Sequence, residues 1–87
     1  MKYSLAKVLW EALEPHYLSI YDDSSAHLKH KGVSATQDTH FHIVIVSKSF
    51  SGHSLVDRHK MVYKLCESFF SDGMHALKLK LLSEKEW

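Results

Sequence analysis

Eight histidines among 87 residues carry most of the chemistry this sequence has to offer. Imidazole moves protons near neutral pH and is the commonest protein ligand for transition metals. The eight are not equivalent. His16 and His53 fall in polar surroundings at element ends, where solvation is the default. His42 alternates along a strand and faces its less buried side; His40 opens the same strand. His59 lies within the apolar stripe of a helix, which predicts a hydrogen-bonded core imidazole, because a buried ring needs a partner. His27 and His30 sit in a long polar loop, and His75 begins the last strand. If that strand lies beside the second one, the loop mouth and His75 come within reach of each other. His27 and His75 then present two borderline-soft nitrogen donors, which suit Zn, Cu or one iron of a [2Fe–2S] cluster. A tetrahedral metal takes four donors, so partner ligands or solvent would have to complete the set. The competing reading leaves both imidazoles solvated at the surface.

Other site chemistries lack their motifs. There is no GxSxG, HExxH or CxxC, and Gly32, Gly52 and Gly73 are too scattered for a phosphate-cradling loop. Asp22 and Asp23 are adjacent at a strand end, so their side chains diverge; they are expected to form a turn, not an acid–base pair. The one cysteine, Cys66, falls on the apolar side of a helix and is expected to pack in the core. A lone cysteine forms no internal disulfide, which fits a reducing compartment.

The elements that must position these residues follow from periodicity. Leu5, Val8, Leu9, Ala12 and Leu13 make one stripe of an amphipathic helix, with Ser4 as its N-cap and Pro15 as its stop. Trp10 lies at the edge of that stripe. Residues 17–22 alternate, with Leu18 and Ile20 on one side, and predict a strand facing the helix. Residues 23–39 hold almost nothing large and apolar and read as a long loop. Residues 40–47 predict the second strand, with Phe41, Ile43 and Ile45 pointing one way and His42, Val44 and Val46 the other. Four consecutive β-branched residues there suggest a central strand buried on much of both faces. Gly52 permits a positive φ in the turn that follows. Ser54 and Asp57 resemble a capping box for a helix running to about Phe70, with residues 54–56 as a separate first piece, and Gly73 ends it. Residues 75–82 alternate again: Leu77, Leu79 and Leu81 face the core, Lys78 and Lys80 face solvent, and parity puts His75 on the leucine side. A strand–helix–strand crossover makes the last strand parallel to the second.

Length sets one domain, residues 1–87, with a small core. The composition, 45% hydrophobic and 24% charged, is that of an ordinary folded globule. A formal charge of +1 is not the basic excess of a chain that works by neutralising phosphates. No stretch approaches the ~18 apolar residues that would span a membrane, and the N-terminal pattern is not that of a secretory signal.

Several short runs together resemble a known family. They are Leu13-Glu14-Pro15, Asp22-Asp23-Ser24, His27, Thr39-His40-Phe41, Ile45-Val46-Ser47 and Phe50-Ser51-Gly52. Beyond these come Arg58-His59-Lys60-Met61-Val62-Tyr63, Gly73, His75-Ala76-Leu77 and Glu86-Trp87. On these residues the chain resembles the BolA family nearly end to end. The family's usual Asp-Glu-Ser is Asp-Asp-Ser here, and the loop is unusually rich in lysine. The resemblance implies an α+β fold of order α-β-β-α-α-β, with helices packed on one face of a three-stranded mixed sheet, similar to a class II KH domain. It implies a non-enzymatic partner of monothiol glutaredoxins that co-ligates a [2Fe–2S] cluster, the glutaredoxin supplying its cysteine and a glutathione thiolate. Matched by position, the implied ligands are His75 and His27, with His30 in reserve. Some relatives carry a cysteine in the loop; none is present here, so the implied ligation is by nitrogen. Phe50, Gly52, Arg58, His59 and Lys60 match the family signature and are implied to shape the partner-binding surface or the fold. The implied roles are cluster assembly, trafficking or iron regulation, in the cytosol or mitochondria, by a chain that is a monomer when alone. The alternative implied role is nucleic-acid binding as a transcriptional regulator. Against it stand the near-neutral charge and the absence of the GXXG loop by which KH domains grip RNA.

Overall fold

The computed structural model describes residues 1–27 and 39–87. His30 therefore lies outside the described residues, and of Ala26 and His27 only the backbone is described.

Helix α1 spans Lys2–Leu13 and buries Leu5, Leu9 and Leu13. Val8 is half-buried and Ala12 is exposed, so the packed stripe is narrower than the full periodic set. Ser4 does not cap it. The helix begins three residues earlier than a Ser4 cap would allow, with the Leu5 N–H donated to the Met1 carbonyl at 2.9 Å. At the other end Glu14 takes a left-handed conformation, φ 42°, and its N–H returns to Trp10. Pro15 then prevents any further turn.

Strand β1, Tyr17–Asp22, pairs antiparallel with β2, His40–Val46, and β2 pairs in parallel with β3, Ala76–Leu82. The sheet order is β1-β2-β3, so the second strand is central. Its register lines up Leu18–Ile45–Leu81, Ile20–Ile43–Leu79 and Asp22–Phe41–Leu77 across the sheet. The apolar residues of these rows face the helices and form the core with Leu5, Leu9, Phe50, Val62, Cys66 and Phe69. Because side chains alternate along each strand, Tyr17–Val46–Leu82, Ser19–Val44–Lys80 and Tyr21–His42–Lys78 line the opposite face. That face is closed only at one end. Val46 is fully buried, beside Tyr17 and the Trp87 ring that lies 5.6 Å from it, whereas His42 and Val44 are half-exposed. The burial expected on both faces of the central strand is thus reached at Val46 alone.

A short 3₁₀ turn, Lys48–Phe50, and Gly52 at φ +78° lead into α2, Leu55–Leu65. Ser54 caps α2 by accepting the Asp57 N–H at 3.1 Å. The helical region does divide, but not at residues 54–56. It breaks at Cys66, whose φ of −101° and ψ of 6° interrupt the ladder before α3, Glu67–Ser71. The break turns Phe69 into the core, as the hydrophobic cluster requires. Gly73, at φ +115°, ends α3. Its N–H goes to the Phe70 carbonyl and that of Met74 to the Phe69 carbonyl, the paired bonds of a Schellman cap, with Met74 and Phe69 both buried. Among the described residues no helix is long and apolar enough to cross a membrane.

Candidate functional site

The parallel pairing of β2 with β3 sets His40 opposite Ala76, so both strands open at the same end of the sheet. Thr39 ties that end together. Its carbonyl accepts the His75 N–H at 2.6 Å and the Ala76 N–H at 3.1 Å. Its hydroxyl lies 3.0 Å from His40 Nδ1. The N–H groups of Thr39 and His40 are donated in turn to one atom, Ser24 Oγ, at 2.9 and 3.1 Å. Ser24 is fully buried, and its own hydroxyl hydrogen goes to Asp22 Oδ1, which also accepts the Ser24 N–H. The adjacent aspartates therefore do form a turn: Asp22 anchors Ser24, and the Asp23 N–H is donated to the His40 carbonyl. The backbone turn Ser24–His27 lies against the start of β2.

His75 stands just before β3, is exposed, and does not join the leucine side as parity suggested. Its ring lies 5.6 Å from the ring of His40, tilted by 59°. Two imidazoles thus meet at the mouth from which the polar loop departs. His27 belongs to the turn at this mouth by its backbone position. His40 was not among the ligands expected from the sequence. The signal for it was there: two histidines each open a strand, and parallel in-register pairing brings strand openings together.

The signature residues separate into two groups. Phe50 is fully buried and Arg58 nearly so. Arg58 donates Nε to the His53 carbonyl at 3.0 Å, and Nη1 to the Leu81 carbonyl at 3.1 Å and to Glu86 Oε1 at 2.6 Å. These contacts fasten α2 to the end of β3 and to the Glu84–Glu86 turn, so Phe50 and Arg58 serve the fold. Hydrogen bonds from Arg58 and then Ser83 hold the Glu86 carboxyl down from 4.5 to about 2. His59 is hydrogen-bonded, Nδ1 to the Leu55 carbonyl at 2.8 Å, but it is not in the core. The buried side of α2 is occupied by Arg58 and Val62, one helical position away. His59 and Lys60 instead line a shallow surface groove with the exposed Leu55, Val56 and Tyr63. Cys66 is buried as expected, and burial pushes its thiol up to about 11.

The BolA-like protein family model matches residues 9–86. The chain belongs to this family. Among BolA-like relatives, the UV-induced protein uvi31 of Schizosaccharomyces pombe is 46% identical over 76 residues, covering 84% of this chain and 74% of that one. Chloroplastic BOLA1 of Arabidopsis thaliana is 44% identical over 73 residues, covering 82% of this chain and 46% of that longer one. The DNA-binding transcriptional regulator BolA of Escherichia coli is 36% identical over 76 residues, covering 87% of this chain and 69% of that one. Two solved structures share the BolA fold. BolA1 from Arabidopsis thaliana has a TM-score of 0.90 at 36% identity, over 100% of this chain and 95% of that one. The BolA domain of SufE1 from the same plant has a TM-score of 0.88 at 33% identity, over 98% and 93%. The three helices and three-stranded mixed sheet expected from the sequence are therefore those of the BolA fold.

Proposed function

We propose that this BolA-like chain is a non-enzymatic partner of a monothiol glutaredoxin, lending imidazole nitrogen to a [2Fe–2S] cluster that the glutaredoxin and its glutathione bring. The observation that carries the reading is His75: an exposed imidazole on a backbone fixed by Thr39, beside a second imidazole, at the loop mouth. The donor chemistry fits. Imidazole is borderline-soft and suits iron of such a cluster. Cys66 is buried with its thiol protonated, so sulfur from this helix does not compete. His75 would be one donor, and His27 or His30 in the loop another. Imidazole in place of thiolate on one iron removes negative charge and raises the cluster's potential. A SufE-type relative containing the same domain supports an iron–sulfur-related role. The groove of Leu55, Val56, His59, Lys60 and Tyr63 is a surface on which the partner could dock.

Titration of the full chain with a monothiol glutaredoxin, with and without cluster, tests this by NMR and visible circular dichroism. A new heterodimer spectrum that requires the cluster is expected, and His75→Ala should alter it while leaving the amide spectrum of the free chain in place. An unchanged spectrum for His75→Ala would remove that residue from the ligand set.

The Escherichia coli relative named a DNA-binding transcriptional regulator favours a second reading, binding of nucleic acid. Lys78 and Lys80 lie with Tyr21 on the open sheet face. Phosphate binding must weaken steeply as salt rises, so affinity independent of salt would end this reading.

A further inference from the structure

We infer that His40 is a nitrogen donor together with His75, so that the two strand-opening imidazoles form one bidentate transition-metal site. This deepens the reading above and rests on it only for the identity of the cargo.

Four observations converge. The rings are 5.6 Å apart and tilted by 59°. With metal–nitrogen bonds of about 2.0–2.1 Å at tetrahedral angles, two imidazoles on one ion hold their ring centres about 5 Å apart. A small side-chain adjustment closes the difference. The backbones that carry the two rings are fixed to each other, because His40 follows Thr39 directly and the Thr39 carbonyl accepts the N–H of His75. No rearrangement of either strand is required. The hydroxyl of Thr39 sits 3.0 Å from His40 Nδ1. Donation of the Nδ1 hydrogen to that hydroxyl makes Nε2 the lone-pair nitrogen, the outer-shell arrangement that orients a ligating histidine. Finally, His75 is exposed and His40 half-buried, so an ion held by another molecule can reach the pair from outside. The site consists of these two rings and needs no contribution from the loop.

The test uses the full chain labelled with ¹⁵N-histidine and titrated with Zn²⁺ alone. The imidazole nitrogens of His40 and His75 should shift together, along one saturation curve. His40→Ala and His40→Gln should each weaken that curve by at least the roughly tenfold that loss of even an outer-shell partner costs. His40→Gln keeps a polar planar group of similar reach, so an intact amide spectrum separates loss of a donor from loss of the fold. Zn²⁺ that shifts His75 while leaving His40 unmoved overturns the proposal, as does wild-type affinity in both His40 variants. The same variants are then mixed with a glutaredoxin–glutathione cluster dimer. If the wild type forms no heterodimer, the cargo reading fails while the Zn²⁺ result still decides the pair.

Discussion

The hydroxyl oxygen of Ser24 accepts the backbone N–H of Thr39 at 2.9 Å, across the whole length of the polar loop. Both residues are buried. This bond, with the one from the His40 N–H to the same oxygen, closes the loop at its neck. It holds the start of β2 where Thr39 can in turn hold His75.

Ser24→Ala should therefore do two things at once. It removes the acceptor for two backbone N–H groups in a largely buried place, which costs about 2 kcal/mol of stability. It also loosens the Thr39 link to both imidazoles. Thermal melts should show the loss. Hydrogen exchange should show faster exchange at the amides of Thr39, His40 and His75 than at those of α2. Uniform acceleration throughout the chain would mean that Ser24 supports the fold generally and not the histidine end in particular.

Much of this arrangement could be read before any coordinates. The crossover rule and strand alternation fix which rows of β1, β2 and β3 face the helices, because a one-residue slip would turn Leu77, Leu79 and Leu81 away from the core. Gly73 was legible because only glycine takes φ +115° without strain. What could not be read were features that depend on tertiary contacts. Helical period alone cannot say whether a position like His59 faces core or solvent when apolar residues flank it on both sides. The buried side of α2 went to Arg58, a cation whose polar atoms find two carbonyls and Glu86 only in the folded chain. Ser24 looked like one more loop serine, since nothing local reveals that its hydroxyl would be buried and triply engaged. The break at Cys66 likewise follows from how Phe69 must reach the core.

Arg58 and Glu86 make the acid end of the stability profile predictable. The folded-state carboxyl titrates near 2, below its ordinary 4.5. A depressed value means the stabilisation is complete above 4.5 and is lost as pH falls through the folded value. The melting temperature of the wild type should fall across that window, and Glu86→Gln should flatten this part of the profile. Arg58→Ala should cost about 2–3 kcal/mol at neutral pH, because the His53 and Leu81 carbonyls lose their donors. Parallel acid profiles for Glu86→Gln and wild type would contradict the assignment.

Cys66 should be chemically silent. Its thiol is buried and raised to about 11, so at neutral pH almost no thiolate exists to react. A thiol reagent should label it only after denaturant is added. Cys66→Ala should leave the heterodimer spectrum with glutaredoxin unchanged, at some loss of stability from the core. Rapid labelling of the native protein, or a changed spectrum, would show that this sulfur is available after all.

Nitrogen from this chain bound to iron is the centre of the account, and one spectroscopic comparison addresses it directly. The heterodimer cluster is reduced and examined by pulsed electron paramagnetic resonance, once with ordinary chain and once with chain labelled in its histidines with ¹⁵N, the glutaredoxin and glutathione being unlabelled both times. The account predicts a strong nitrogen coupling that changes from the ¹⁴N to the ¹⁵N pattern with the label and is diminished in His75→Ala. Identical spectra from labelled and unlabelled chain would contradict it.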